Sequence, residues 1–197
     1  MQKFFNPFGT GGSGGGGGGG NVPDRYIEIK DVGAYSNPTY VYYHGQPGDN
    51  LPRYNFSYLA KVEMDNNFTS ISDNVFDDCD NLIEVKLSKN ITIIPYRAFY
   101  DCDNLTIITI PEGVTAINDD AFRWCVSLTS INFPLTLTSI GSFAFNESGL
   151  GSGGGTFTMP IANSYGSNVF DNIKAKKIIV PEGVTEFKSS EMFRNCK

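Results

Sequence analysis

Residues 105–125 read Leu105-Thr106-Ile107-Ile108-Thr109-Ile110-Pro111-Glu112-Gly113-Val114-Thr115-Ala116-Ile117-Asn118-Asp119-Asp120-Ala121-Phe122-Arg123-Trp124-Cys125. Leu105, Ile108 and Ile110 lie at offsets 0, 3 and 5, with Thr109 between the last two, the near-alternation of a short half-buried strand. Pro111-Glu112-Gly113 then marks a turn. Val114 and Ile117 resume the apolar pattern, and Ala121-Phe122-x-x-Cys125 sets a small, a large and a second small apolar group close together. A unit this short cannot bury such a face by itself, so it calls for copies of itself to stack against.

The copies are present. Leu59, Leu82, Leu105 and Leu128 recur with a period of 23 residues. Twelve residues beyond each leucine stand Ile71, Ile94, Ile117 and Ile140, and seventeen beyond stand Phe76, Phe99, Phe122 and Phe145. Cys79, Cys102 and Cys125 close the first three units, with Ser148 at the same place in the fourth. Two less regular units follow. One carries a Gly/Ser insertion over 149–155 and closes on Val169-Phe170. The last repeats Pro181-Glu182-Gly183-Val184 letter for letter from Pro111-Glu112-Gly113-Val114 and reaches Phe193 and Cys196. A fixed period of this length means a repeat array.

The pattern Leu-Thr-x-Ile-x-Ile-Pro-Glu-Gly-Val-Thr-x-Ile-x-x-x-Ala-Phe-x-x-Cys resembles the BspA-like, 23-residue class of leucine-rich repeats, over about 59–197. The resemblance implies an α/β repeat solenoid of about six turns. A parallel sheet is expected on the concave face and short helical turns or irregular segments on the convex face. It also implies a non-catalytic protein-binding or surface-display module that recognises a protein or a host-surface ligand. Similar repeats occur in phage genomes, so a second expectation is a structural virion component, such as a head fibre or decoration protein, anchored by its N-terminal tail.

The rest of the chain is organised around the array. Residues 21–58 leave the period and hold seven of the ten tyrosines, with strand-like runs at Arg25–Ile29 and Tyr40–Tyr43. They read as a β-rich N-terminal cap and as a tyrosine-rich docking surface, tyrosine being frequent among interface anchors. Residues 1–20 form a tail. Ten glycines fall in 9–20, a flexible linker with a reach of about 17–20 Å. It separates Phe4, Phe5 and Phe8 from the rest, and these three read as an anchor peptide for a larger assembly. The last unit has no polar cap, so self-association through it is expected. The insertion at 149–155 reads as a mobile loop.

Composition excludes several functions. The net charge is −6, with 15 basic and 21 acidic residues, the wrong sign for a nucleic-acid footprint. The four cysteines are 23, 23 and 71 residues apart, not the close pairs of a zinc site, and at one repeat position they read as buried, reduced apolar groups. His44 is the single histidine, and no Ser–His–acid set, phosphate loop or dinucleotide fingerprint occurs. No enzyme and no cofactor are expected. Residues 63–120 carry a local charge of −9. Asp77, Asp78, Asp80, Asp101 and Asp103 read as a solvated acidic ridge. No apolar run is long enough to span a membrane, and the N-terminus lacks the apolar core of a secretory leader.

The expected concave row is Lys61/Glu63, Glu84/Lys86, Ile107/Thr109, Ser130/Asn132, Thr156/Thr158 and Lys177/Ile179. It is small, mixed and free of aromatics, poor material for a hot spot. Trp124, the sole tryptophan, falls where neighbouring units carry Asp78 and Asp101, which suggests the outer edge. The candidate partner-binding residues are therefore Phe4, Phe5, Phe8, Tyr42, Tyr43 and Trp124.

Overall fold

The computed structural model describes residues 3–4, 26–32, 38–45, 47–51, 53, 59–184 and 191–196, with backbone alone for 3–4, 26–32 and 38–39. Strand β5 (Lys61–Met64), β7 (Glu84–Lys86) and β9 (Ile107–Thr109) stack in parallel, one per repeat. Val62 aligns with Val85 and Val85 with Ile108; these three point into the core, joined in β5 by Met64, and the residues between and beside them face out. The row continues through a bridge from Thr109 to Asn132. Further on, β12 (Thr156–Thr158) pairs with β14 (Lys177–Ile179) in the same register.

The first five turns then bend into a second short strand. Of these, β8 (Ile93–Ile94), β10 (Ala116–Ile117), β11 (Ser139–Ile140) and β13 (Ser164–Tyr165) form another parallel sheet. Ile94, Ile117 and Ile140 are buried along it, and Tyr165 takes the isoleucine place in the fifth turn. The extra hydroxyl is accommodated by donating to the Pro160 carbonyl and accepting from the Ala162 N–H.

The N-terminal residues extend the main sheet. β2 (Tyr26–Val32) and β3 (Pro38–His44) form an antiparallel pair, and β3 runs parallel to β5. β4 (Asp49–Leu51) pairs with β6 (Phe68–Ile71). β1 (Lys3–Phe4) pairs antiparallel with β2, so the backbone at Phe4 lies on the sheet edge rather than on a free tip. Phe5 and Phe8 lie outside the described residues, as do the side chain of Phe4 and the whole linker at 9–20.

The fold is a parallel β-solenoid. The expected α/β class is corrected on one point: no helix occurs among the described residues. The Ala-Phe-x-x-Cys segment is a run of turns, and its hydrogen bonds explain why. Phe76 N–H donates to the Ala98 carbonyl at 2.9 Å, Phe99 to Ala121 at 2.9 Å and Phe122 to Ala144 at 2.7 Å. These amide groups are spent on the next turn of the solenoid, so they cannot close the intra-segment bonds of an α-helix. Alternate residues do close tight three-residue turns, such as Tyr100 N–H to Arg97 O at 3.3 Å.

Inside, the phenylalanines form one column. Ring centroids of Phe76–Phe99, Phe99–Phe122, Phe122–Phe145, Phe145–Phe170 and Phe170–Phe193 lie 5.3, 5.1, 5.1, 5.7 and 5.6 Å apart, all near parallel. Cys79, Cys102 and Cys125 are buried beside them as free thiols. Cys102 Sγ donates to the Phe76 carbonyl and Cys125 Sγ to the Phe99 carbonyl, each at 3.0 Å. The thiol thus has a polar task as well as an apolar one: it caps a carbonyl of the preceding turn.

The insertion at 149–155 is another correction. It is bonded on both sides rather than free, with Gly149 N–H to Cys125 O at 3.0 Å, Gly151 N–H to Thr129 O at 3.1 Å and Lys174 N–H to Leu150 O at 3.1 Å. Leu150 is fully buried and anchors it.

Candidate functional site

These turns place two residues in each of the first five repeats in the left-handed backbone region. Among the described residues, eleven non-glycine residues have positive φ, and seven of them are Asn or Asp: Asn74, Asp78, Asp101, Asp120, Asn168, Asn172 and Asn195. Short polar side chains tolerate this conformation by bonding locally, whereas it costs a bulky residue on the order of 1–2 kcal/mol. The four departures are Arg97 (φ 50°), Trp124 (φ 64°), Phe143 (φ 57°) and Glu147 (φ 56°).

Three of these four departures meet. Arg97 Cζ lies 4.3 Å from the Tyr100 ring centroid and 5.1 Å from that of Tyr96. Tyr100 packs edge-on against Trp124 at 5.0 Å. Arg123 Cζ lies 4.6 Å above Trp124 and 5.1 Å from Phe143. The result is a ladder, Tyr96–Arg97–Tyr100–Trp124–Arg123–Phe143, laid across three turns. Asp120 sits behind it, 3.1 Å from Arg123 Nη1 and 3.8 Å from Arg97 Nε. The Nε atoms of both arginines are buried and make no hydrogen bond among the described residues. Ring faces and one shared carboxylate hold the guanidinium planes instead.

Trp124 is half-buried on this outer row, the edge position its offset suggests. Sequence reasoning missed Tyr96, Arg97, Tyr100, Arg123 and Phe143. The signal that finds them is the repeat position itself: Arg97, Trp124 and Phe143 stand where the other turns use Asn or Asp.

The acidic ridge runs beside this ladder. Burial raises the Asp101 carboxyl above the usual range, and the neighbouring Asp103, Asp78, Asp80 and Asp77 raise it further. Asp77 is raised by burial, though Arg53 approaches it at 3.2 Å.

The tyrosines of the cap divide between the two faces of β3. Tyr43 is 1% exposed, so it is a core residue and the reading of it as a surface contact is corrected; strand alternation sends it inward with Val41. Tyr40, Tyr42 and His44 face the other way. β3 therefore adds aromatics to a row that the repeats alone make small and polar, a second correction. Tyr42 and His44 rings lie 4.6 Å apart. Tyr40 Oη donates to Glu63 Oε1 at 2.7 Å, Lys61 Nζ reaches Glu84 Oε1 at 3.0 Å and Glu63 Oε1 at 3.3 Å, and Lys86 Nζ reaches Glu63 Oε2 at 3.6 Å. Burial pushes Glu63 up, but the hydrogen bonds from Tyr40 and Lys61 and the charge of Lys86 bring it below the usual range. This network spends its polar groups internally.

No group of three metal-ligating side chains is close enough to hold an ion among the described residues. Among those residues, too, no helix is long and apolar enough to cross a membrane.

Comparison with known proteins agrees with this architecture. The family model described as "BspA type Leucine rich repeat region" matches residues 51–154 and 155–197, in six copies. The chain belongs to the BspA-type leucine-rich repeat family. No curated protein matches it in sequence. Among solved structures, a leucine-rich repeat protein from Bacteroides ovatus is similar with a TM-score of 0.63 at 23% identity. The similarity covers 89% of this chain and 44% of that one, so this leucine-rich repeat chain spans less than half its relative's length. The T. pallidum leucine-rich repeat protein is similar with a TM-score of 0.52 at 24% identity, over 80% of this chain and 71% of that one. These likenesses support the fold.

Proposed function

We propose that the chain is a non-catalytic recognition module that docks a protein or host-surface ligand on the ladder around Trp124. The observation that carries the reading is the placement of Arg97, Trp124 and Phe143 at left-handed positions that the repeat otherwise gives to Asn and Asp. Strained backbone persists where a side chain is needed for something other than folding. Trp, Tyr and Arg are also the residue types that carry most binding energy at protein interfaces. The family supports a binding module.

Photo-crosslinking tests it. A photoreactive phenylalanine analogue in place of Tyr100 is expected to form one discrete adduct in an extract of the native source. Unlabelled wild-type chain should compete the adduct away, and the Trp124→Ala chain should not. Adducts formed equally well from the same analogue at Leu135, a 95% exposed residue that is not part of the ladder, would mean that the ladder has no special role.

A further inference from the structure

A groove of about 520 Å³ runs along the second sheet, from Tyr96 in the second turn to Gly166 in the fifth. Its floor is backbone. Asn118 and its counterparts Gly141 and Gly166 occupy one repeat position, and the two glycines have no side chain to fill it. They are required by packing: a Cβ on Gly141 would lie 2.4 Å from Asp119 N, and one on Gly166 would lie 2.3 Å from Ser142 N. The walls carry Asn118, Asp119, Ser139, Ser142 and Ser164, and Tyr96, 37% exposed, closes one end.

Three occupants are excluded by chemistry. No Lys or Arg lines the groove, so it does not suit a phosphate or other anion. An extended peptide needs a free strand edge for main-chain pairing, but the amides here are already used between turns. Asn118 N–H donates to Ile94 O at 2.9 Å, Gly141 N–H to Ile117 O and Gly166 N–H to Ile140 O, each at 2.7 Å. An apolar ligand would meet hydroxyls, an amide and a carboxylate along most of the length.

What fits is a ligand rich in hydroxyls with one flat apolar face. We propose that this groove binds a neutral oligosaccharide, with Tyr96 as the stacking platform and Asn118, Asp119, Ser139 and Ser164 as hydrogen-bond partners. Asp119 Oδ1 accepts from Ser142 N–H at 2.7 Å, which fixes the carboxylate and leaves its second oxygen to accept from a sugar hydroxyl. The volume lies within the range of about 300–1,000 Å³ usual for ligand sites. Four turns at roughly 4.8 Å spacing give a track about 14 Å long, which matches a short chain rather than a single sugar. Tyr96 is common to this groove and to the ladder around Trp124, whereas Asn118, Ser139 and Ser164 belong to the groove alone, so variants at those three let the two readings fail separately.

The test is ligand-observed NMR, with calorimetry for any hit, on the full chain. The probes are neutral hexasaccharides of α- and β-linked glucose, xylose and N-acetylglucosamine, and one sulfated hexasaccharide as the anionic control. At least one neutral probe is expected to bind saturably. Tyr96→Ala and Asn118→Ala should each weaken it, Tyr96→Ala by about tenfold, while Leu135→Ala, at an exposed residue outside the groove and the ladder, leaves it unchanged. Circular dichroism checks each fold, and Ser139→Ala replaces Tyr96→Ala if that variant fails to fold. No saturable neutral probe, binding of the sulfated probe alone, or affinity indifferent to the groove variants overturns the proposal.

Discussion

Phe122 is fully buried in the middle of the ring column, with Phe99 and Phe145 each 5.1 Å away and within 8° of parallel. Truncating such a residue, as in Phe122→Ala, costs about 3–5 kcal/mol, the transfer of the lost atoms plus the cavity left behind. Two stacked neighbours, each pair worth about 0.5–1.5 kcal/mol beyond area, put this site at the upper end, about 4–5 kcal/mol. Phe122→Leu keeps most of the volume and loses the stacking alone, for about 1–3 kcal/mol. Each turn touches only its neighbours, so the damage is to coupling between the two halves of the array as well as to local packing. Urea unfolding followed by far-ultraviolet circular dichroism measures both. With a slope of about 2 kcal/mol per molar urea, the alanine variant should lose roughly 2 M in midpoint and unfold over a broader range. A loss below about 1 kcal/mol in both variants, with an unchanged slope, would refute a continuous column and the stacking register with it.

Other expectations concern the outer surface, the thiols and the glycines. Trp124→Asn should leave stability within about 1 kcal/mol of wild type, because relief of the left-handed strain offsets the lost contacts with Tyr100 and Arg123; thermal melts check this, and a loss of several kcal/mol would make Trp124 a core residue. Thiol titration of the native chain should modify Cys196, which is half-buried, well before Cys79, Cys102 and Cys125, and immediate reaction of all four would contradict their burial. Burial pushes the Cys79 thiol up to about 12 and raises Cys102 and Cys125 as well. The folded pKa lies above the unfolded one, so this contribution is intact below about pH 8.5 and is lost as the pH climbs towards 12; melts between pH 7 and 11 should show falling stability, more shallowly in Cys102→Ala. Gly141→Ala should cost about 1–3 kcal/mol by overpacking, whereas Ala at Gly153, where a Cβ meets nothing within 4 Å, should cost no more than the left-handed backbone term.

The repeat and its core were legible in the residues. The recurrence every 23 residues of the positions held by Leu82, Ile94, Phe99 and Cys102 fixes which groups must be buried together, because parallel stacking brings equal offsets into contact. Lys61 against Glu84 and Glu63 against Lys86 followed from the same rule. Between short helical turns and irregular segments the sequence left the choice open, because Ala-Phe-x-x-Cys has an apolar spacing that a helical turn and a column of stacked turns share. Only hydrogen bonding to the next turn distinguishes them, and sequence spacing carries no record of it. Tyr43 was misplaced for a related reason: in a run of three aromatics, Tyr40, Tyr42 and Tyr43, the inward face depends on the pairing of β3 with β5 rather than on composition.

The sequence by itself therefore determined the family, the period and the buried columns, since repetition turns a local pattern into a set of forced neighbours. The tertiary structure decided where the left-handed turns fall, how Arg97, Trp124, Arg123 and Phe143 interleave across three turns, and that two glycines open a backbone-floored groove beside Tyr96. These features come from contacts between repeats that differ from one another, and a periodic template averages such differences away.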